Sequence, residues 1–322
     1  MAMVCGDAHL IPVCTACGAL ATPALQARWS ADALVHSSPR AQIYRGHDRT
    51  SGALVAIKVA TRSAFASAVA QRPADIHMLC ALRHPHLVAT LAIEPVGESE
   101  IWIQEWIEGI TLDRWFGTHA PLAPAQTAGV VGQILDALSA LHQRHWFHGD
   151  IKPQNVMIDA EGQVQVIDLG LLRSTLADAP QSALERHTAG TLPFMAPELQ
   201  QGLSTVDDRA DLYAVGVLLE WLQRSESNAT LKQLSKGLQS ESPLHRPTLA
   251  EVRVRLETVQ DPPSPLMIDE SLEGTNATSA WQGLAPSKSQ HLWWAAVAIL
   301  IILLNLAILV HQIWTHGMWR GR

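Results

Sequence analysis

The chain has 322 residues, a formal net charge of −7 and a hydrophobic content of 48%. This length accommodates a two-lobed domain with additional sequence. The acidic balance, without a lysine- or arginine-rich patch, gives no support to a nucleic-acid-binding role, and we expect no nucleic-acid partner. With only four cysteines and Arg28 as the first basic residue, the chain does not look like a disulfide-rich secreted protein, and we expect no secretory signal peptide.

The N-terminal segment, residues 1–26, carries the residues with metal-ligand chemistry. Cys14 and Cys17 are two residues apart and precede Gly18, which is the spacing of one zinc knuckle. Cys5 and His9 are available to complete a tetrahedral site, but no second ligand pair with this spacing follows. The segment is therefore either a zinc site built from these four residues or an N-terminal arm with free thiols.

Strand-like apolar stretches begin at about residue 27. Ile43-Tyr44 and residues 54–59 flank the polar turn at 48–52, and this pattern predicts a β-hairpin. Lys58 lies in the second stretch, where a lysine is either an edge residue with its ammonium in water or a ligand for an anion. Farther along, apolar residues at helical spacing over 128–141 predict a long helix with one buried face.

The functional chemistry concentrates in the stretch His148-Gly149-Asp150-Ile151-Lys152-Pro153-Gln154-Asn155, with Asp168 following eighteen residues after Asp150. The first acid can accept the proton of a hydroxyl group, and the lysine can neutralise a phosphate. The amide and the second acid can hold the same metal ion. This combination of residue types and spacing is typical of a site for phosphoryl transfer.

The same stretch, with Asp168-Leu169-Gly170, resembles the catalytic loop and metal-binding motif of protein kinases. The resemblance covers residues 27–258 and includes Val55-Ala56-Ile57-Lys58 and Gly190-Thr191-Leu192-Pro193-Phe194-Met195-Ala196-Pro197-Glu198. It points to the eukaryotic-like, or Hanks-type, serine/threonine kinases of bacteria. The resemblance implies an α+β bilobal fold with a small β-rich N-lobe, residues 27–106, and a helical C-lobe, residues 107–258.

The resemblance also implies a role for each matching residue of the transfer site. Asp150 is the catalytic base or orienting acid, and Lys152 stabilises the transferred group. Asn155 and Asp168 bind Mg²⁺, and Lys58 anchors the α- and β-phosphates of ATP. Lys152 is, in addition, the residue found at this position in serine/threonine rather than tyrosine kinases.

Other implied roles concern the nucleotide and the bracing of the site. The backbone of Glu105 and Ile107 faces the adenine, next to Gln104 as gatekeeper. Asp75 falls on the position of the glutamate that pairs with Lys58. The alternative is that Asp75 only favours the N-terminus of its own helix. Three further contacts are implied: Thr191 with Asp150 and Lys152, Glu198 with Arg246, and Asp211 with the backbone of the catalytic loop.

The chain departs from the family pattern at several positions. The three glycines of the phosphate-binding loop are replaced by His36, Ser38 and Ala41, which predicts weaker ATP binding. Gly149 replaces the arginine that receives a phosphate on the activation segment, so we expect no switching by that route. The helical region before Arg246 is short. These departures leave open an alternative function as a membrane-tethered pseudokinase that acts as a scaffold or allosteric partner.

The C-terminal part of the chain predicts a membrane anchor. A polar linker at 259–290 precedes nineteen uncharged residues at 292–310, enough for a helix to span the ~30 Å hydrocarbon core. We therefore predict a transmembrane helix at 291–313 and a short tail at 314–322, too short for a large extracellular sensor; a buried core helix is the alternative. Asn305 leaves open a homodimer through this helix.

The sequence thus predicts a single-pass membrane-anchored serine/threonine protein kinase that uses ATP and Mg²⁺ and acts on protein substrates. Because a kinase requires ATP, we expect the kinase domain to be cytoplasmic. Arg320 and Arg322, at the far end of the span, favour the opposite orientation by the positive-inside rule.

Overall fold

A computed structural model of the chain describes residues 13, 20–39, 41–61, 73–175, 191–202, 206–224 and 228–259. Its N-terminal part is a five-stranded antiparallel sheet with the strand order β1-β2-β3-β5-β4. The strands are β1 Trp29–Ser37, β2 Ala41–Asp48, β3 Leu54–Thr61, β4 Thr90–Val96 and β5 Ser99–Glu105.

The predicted hairpin at the start of this sheet is confirmed, since β2 pairs with β3 on either side of the turn. The Asp48 side chain accepts hydrogen bonds from the N–H groups of Thr50 and Ser51, at 2.8 and 3.3 Å. Gly52 adopts a φ of 75°, which a residue without a β-carbon reaches at no steric cost. The turn therefore forms where the polar residues predicted it.

One face of the sheet is covered by the N-terminal segment. Leu20 and Leu25 are fully buried, and helix α1 (Pro23–Arg28) begins at Thr22, whose hydroxyl group donates to Glu94 at 2.7 Å. These residues join strand residues in one hydrophobic cluster: Val13, Leu20, Leu25, Trp29, Ala31, Tyr44, Val55, Ile57, Val59, Ile101 and Ile103. The core of this lobe therefore includes residues that the sequence analysis assigns to the separate segment 1–26.

The opposite face of the sheet carries Lys58, because side chains alternate between the two faces along β3. Helix α2 (Pro73–Ala81) follows and packs beside β4. The connection after α2 then joins the two lobes. His86 accepts the N–H of Val166 through its carbonyl at 2.9 Å, and Val88 donates to the carbonyl of Val166 at 3.0 Å.

The C-terminal part of the described chain is mainly helical. Its helices are α3 Leu112–His119, α4 Pro124–His142, α5 Pro197–Gln200, α6 Arg209–Leu222, α7 Ala229–Leu238 and α8 Leu249–Glu257. Helix α4 buries the apolar face that its spacing predicts: Val131, Ile134, Leu135, Leu138 and Leu141. Each fully buried aliphatic side chain contributes about 1.5–3 kcal/mol, so this helix anchors the lobe.

Short strands flank the functional loops of this lobe. They are β6 Ile110–Thr111, β7 Trp146–Phe147, β8 Val156–Ile158, β9 Val164–Val166 and β10 Arg173–Ser174. Strand β8 lies between β6 and β9, and β7 pairs with β10. The combination of a β-sheet lobe and a helical lobe confirms the predicted kinase-like α+β fold.

The region before Arg246 is compact. In its described residues, α6 is followed only by α7 and a 3₁₀ turn at Pro243–His245. Helices α6 and α7 approach closely at Gly216, where a β-carbon would lie 2.6 Å from the Leu238 side chain.

No helix in the described part of the chain is long and apolar enough to cross a membrane. The predicted transmembrane helix, 291–313, lies outside that part.

Candidate active site

The backbone of the catalytic loop forms hydrogen bonds with Asp211, a buried acid in the first turn of α6. Its carboxylate accepts the N–H groups of His148 and Gly149 at 2.8 and 2.9 Å. The His148 ring is itself fixed, since it accepts the N–H of Asp150 at 3.2 Å and donates to the carbonyl of Ile167 at 3.0 Å. The predicted contact between Asp211 and the loop backbone is present.

A second histidine, which the sequence analysis did not single out, completes this support. His142 ends α4, and its ring lies 2.9 Å from the carboxylate of Asp211. Burial alone would lower the pKa of His142, but the hydrogen bond and charge of Asp211, together with Asp208, raise it above the ordinary value. Burial opposes ionisation of Asp211 as well, and the hydrogen bond from His142 holds its pKa below the usual range.

Asp150 lies at the centre of a connected set of side chains. The ammonium of Lys152 donates to the Asp150 carboxylate at 2.6 Å and to the Thr191 hydroxyl at 2.8 Å. The N–H of Thr191 donates to the other carboxylate oxygen at 3.1 Å, and Asn155 Nδ2 donates to Asp150 at 2.9 Å. The structure therefore brings Asp150, Lys152, Asn155 and Thr191 together, as the sequence predicts.

Asp168 follows β9 by two residues and caps the 3₁₀ turn Leu169–Leu171 in a left-handed conformation, with a φ of 64°. Its carboxylate forms an ion pair with Lys58 from β3 in the N-lobe. Burial disfavours the charged form of Asp168, but the adjacent Lys58 ammonium outweighs it and lowers the pKa to about 2. Asp168 is therefore a carboxylate at neutral pH, which is the form that binds cations.

The residues present fit a magnesium ion. Asn155 Oδ1 is buried and has no hydrogen-bond partner among the described residues, because the amide nitrogen of this side chain is the atom that contacts Asp150. An amide oxygen and a carboxylate are the ligands that Mg²⁺ takes from proteins, and substrate phosphates and water complete its shell. Among the described residues, no cluster of three or more His, Cys, Asp or Glu side chains forms a metal site. Cys5, His9, Cys14 and Cys17 lie outside them, so zinc binding stays a prediction.

The residues predicted to contact the nucleotide lie on α2 and at the hinge after β5. Asp75 lies in the first turn of α2, and its pairing with Lys58 stays a prediction. At the hinge, Glu105 donates its N–H to the carbonyl of Ala89 at 3.0 Å and accepts the N–H of Ala89 at 2.7 Å through its side chain. Glu105 and Ile107 thus lie where the chain passes from β5 to the helical lobe, and their contact with adenine stays a prediction.

A buried ion pair braces the segment after the catalytic loop. Arg246 donates to both carboxylate oxygens of Glu198, at 2.6 and 2.7 Å, and both side chains are buried. Arg246 also donates to the carbonyls of Arg209 and Ser240. The predicted Glu198–Arg246 pair is confirmed, and it ties α5 to the start of α6.

Arg173 is a second residue that the sequence analysis missed. It lies in β10 opposite Phe147 and is buried. A β-carbon on Gly149 would lie 3.9 Å from Arg173 Nε and 3.2 Å from the carbonyl oxygen of Leu171. The Arg173 side chain thus lies beside the position of Gly149, and only a structure reveals that neighbour.

Comparison with known proteins agrees with this geometry. A family model described as protein kinase domain matches residues 39–242, more than half of the chain. The chain is 30% identical over 184 residues to the probable serine/threonine-protein kinase PknB of Lactococcus lactis, covering 56% of this chain and 28% of that protein. It is 35% identical over 144 residues to the serine/threonine-protein kinase PknB of Mycolicibacterium smegmatis, covering 43% and 23%.

A third relative matches over a longer stretch. The serine/threonine-protein kinase pkn3 of Myxococcus xanthus is 28% identical over 229 residues, covering 67% of this chain and 42% of that protein. The chain therefore spans less than half the length of each of these three relatives. The family model, the sheet lobe with Lys58 and the helical lobe with the Asp150 loop lead to the same conclusion: the chain belongs to the protein kinase family.

Proposed function

We propose that the chain is a serine/threonine protein kinase that transfers the γ-phosphoryl group of ATP to Ser or Thr hydroxyl groups of proteins. The observation that carries this proposal is the connected set Asp150, Lys152, Asn155 and Thr191. Lys58 and Asp168 join the two lobes beside it. Names of the similar bacterial proteins, which are serine/threonine-protein kinases, support the same activity.

Each side chain has a distinct task in this mechanism. The carboxylate of Asp150 accepts or orients the proton of the substrate hydroxyl group. Lys152, fixed between Asp150 and Thr191, stabilises the charge of the transferred phosphoryl group. Lys58 holds the α- and β-phosphates. Asn155 and Asp168 would hold Mg²⁺, which when bound neutralises charge on the phosphates.

A phosphorylation assay tests the proposal directly. The full chain, purified in detergent, is incubated with γ-labelled ATP, Mg²⁺ and generic protein acceptors, beside an Asp168→Asn variant. We expect label on serine or threonine with the wild type and little with the variant. No label on the chain itself or on any acceptor, together with no thermal shift by ATP and Mg²⁺, would refute the proposal.

The alternative function is that of a pseudokinase acting as a scaffold or allosteric partner. It is favoured by the loss of the three loop glycines at His36, Ser38 and Ala41. A scaffold, however, has no chemical need for the charged residues of the transfer site. An ATP-binding chain that transfers no phosphate but retains a protein partner after Asp150→Asn would support this alternative.

We further propose that residues 291–313 anchor the kinase to a membrane, with the kinase domain in the cytoplasm and signalling as its role. The support is the run of uncharged residues at 292–310, which follows a polar linker. The test is extraction of isolated membranes at alkaline pH. We expect the full chain to stay in the membrane pellet and a chain truncated after residue 290 to stay in solution. Release of the full chain would contradict the anchor.

Zinc at the N-terminal segment is tested separately. Metal content is measured for the purified wild type and for Cys14→Ser. About one zinc per chain in the wild type and a loss in the variant would support a site at Cys5, His9, Cys14 and Cys17. Equal and negligible zinc in both proteins would rule it out.

A further inference from the structure

The hairpin between β1 and β2 occupies the place of the phosphate-binding loop, and its tip closes on itself. Ser38 donates its N–H to the carbonyl of Ala41 at 2.9 Å. Ala41 in turn donates its N–H to the Ser38 hydroxyl oxygen at 3.1 Å, and that hydroxyl group donates back to the Ala41 carbonyl at 3.0 Å. Pro39, between them, has no N–H. At residues 38, 39 and 41 the backbone N–H groups are therefore used or absent.

This closure removes a common means of binding phosphate. Glycine-rich loops bind phosphate with successive backbone N–H groups that point into a concave turn. The N–H groups of Ser38 and Ala41 are already bound within the hairpin. Among the described residues of the hairpin, a side chain is therefore the remaining source of a donor for the phosphates beside Lys58.

His36 is placed to be that donor. It is directly opposite Ile43 in the β1–β2 pair, and Ile43 is directly opposite Lys58 in the β2–β3 pair. Directly opposed residues share one face of a sheet, so His36 and Lys58 lie on the same face. His36 is only 8% exposed, and burial together with the nearby charge of Lys58 lowers its pKa.

The His36 ring is also available to a ligand. Among the described residues, none forms a hydrogen bond with it, although the side chain is more than nine-tenths buried. An imidazole in this position offers an N–H donor for a phosphate oxygen.

The position of His36 along the sheet places it near the predicted phosphate site rather than near the predicted adenine site. The row that contains His36 and Lys58 continues to Trp102 in β5, whereas the hinge residue Glu105 lies opposite Val55. These two rows are three residues apart, about 10 Å along a strand. His36 is therefore at the end of the cleft where Lys58 meets Asp168, away from the hinge.

We propose that the His36 side chain binds the phosphate chain of ATP and replaces backbone contacts that a glycine-rich loop makes. This inference rests on the proposed function only in that ATP is the nucleotide bound. It makes His36 a binding residue that the family pattern does not contain. Its contribution should therefore depend on the phosphates and be absent for the nucleoside.

The test compares ATP with adenosine. Dissociation constants are measured by calorimetry on the full chain in detergent with Mg²⁺, for the wild type, His36→Leu, His36→Phe and His36→Gln. His47→Leu is the matched control, because His47 is an exposed β2 residue whose ring contacts Asp32. Loss of a hydrogen bond to a charged group predicts about 10-fold or more weaker ATP binding for His36→Leu and His36→Phe. We expect adenosine binding to change less than about two-fold, and His36→Gln, which keeps an N–H donor, to recover most of the ATP affinity.

Several results would overturn the inference. These are unchanged ATP binding in both the Leu and Phe variants, an equal loss for ATP and adenosine, or a wild type that binds no ATP. The Phe variant keeps a flat ring in the buried position, so it guards against a variant that fails to fold. These measurements distinguish a failure of the inference from a failure of the proposed function. A phosphate-dependent effect of His36 in a chain that transfers no phosphate would support the first and refute the second.

Discussion

The catalytic loop and the β1–β2 hairpin belong to the two lobes that the Lys58–Asp168 ion pair joins, and they differ in how far they keep the kinase pattern. In the loop, Asp150, Lys152 and Asn155 contact one another, and the loop backbone is bound to Asp211. In the hairpin, none of the three glycines of the family pattern is present, and Ser38 and Ala41 form hydrogen bonds with each other.

The difference follows from what each side contributes. The loop supplies charges and a proton acceptor, and no other residue type performs these tasks at the same place. The hairpin supplies hydrogen-bond donors for phosphate, and a single side chain can replace some, though not all, of the backbone amides of a glycine-rich loop. We therefore expect changes in the loop to affect turnover and changes in the hairpin to affect ATP affinity.

Substitution of Asp150 by Asn should have the largest effect. The variant keeps the shape of the side chain but lacks the carboxylate that accepts the proton. Loss of a general base reduces kcat by about 10²–10⁴-fold, while the KM for ATP should change only a few-fold. Steady-state kinetics measure both constants. The control is Glu161→Gln, an exposed acid in the turn after β8, which should leave both unchanged.

Substitution of Arg246 by Met tests the buried ion pair between Arg246 and Glu198. It leaves the Glu198 carboxylate buried without its partner, which destabilises a protein by about 3–5 kcal/mol. The free energy of unfolding in urea measures this loss, and Arg255→Met, at an exposed position of α8, is the matched control. The double variant Glu198→Leu/Arg246→Met removes the stranded charge and should be more stable than Arg246→Met. A single variant as stable as the wild type would show that the pair does not brace this lobe.

Substitution of Gly149 by Ala tests the backbone of the loop. Gly149 has a φ of 77°, and an added β-carbon would lie 3.2 Å from the Leu171 carbonyl oxygen. A left-handed conformation of a residue other than glycine costs about 1–2 kcal/mol. We expect a loss of this size in unfolding free energy. Gly132→Ala is the opposite control, because this helical position has open space and alanine should stabilise it by about 0.5–1 kcal/mol.

Substitution of Ser38 by Ala tests the closure of the hairpin tip. It removes the hydroxyl group that closes the hairpin tip, at a cost of about 0.5–1.5 kcal/mol for each net hydrogen bond. It also releases the N–H of Ala41, so we expect ATP binding to be unchanged or tighter. Urea unfolding and calorimetry measure the two quantities. Markedly weaker ATP binding would mean that the Ser38 hydroxyl group itself holds the nucleotide.

The sequence predicts those parts of the site whose chemistry demands a particular residue. Asp150, Lys152, Asn155 and Asp168 are identified because few other side chains perform their tasks at that spacing. The turn after Asp48 is likewise predictable, since polar residues and a glycine define it locally.

Contacts that depend on tertiary neighbours are not predictable in this way. His142 is one polar residue at the end of an apolar helix, and nothing in its neighbourhood along the chain points to Asp211. Leu20 and Leu25 lie in a short segment without periodicity, so their place in the sheet core has no local signal. The orientation of His36 depends on the register of β1 with β2, and a shift of one residue would turn its side chain to the other face.

We therefore expect that phosphoryl transfer by this chain is intact while its binding of ATP is weakened. The most direct test is the initial rate of protein phosphorylation by the full chain over a wide range of ATP concentrations. We predict a kcat in the usual range for kinases, about 1–100 s⁻¹, with a KM for ATP at or above about 1 mM, the upper end of common values. A rate at saturating ATP no higher than that of Asp150→Asn would contradict the claim.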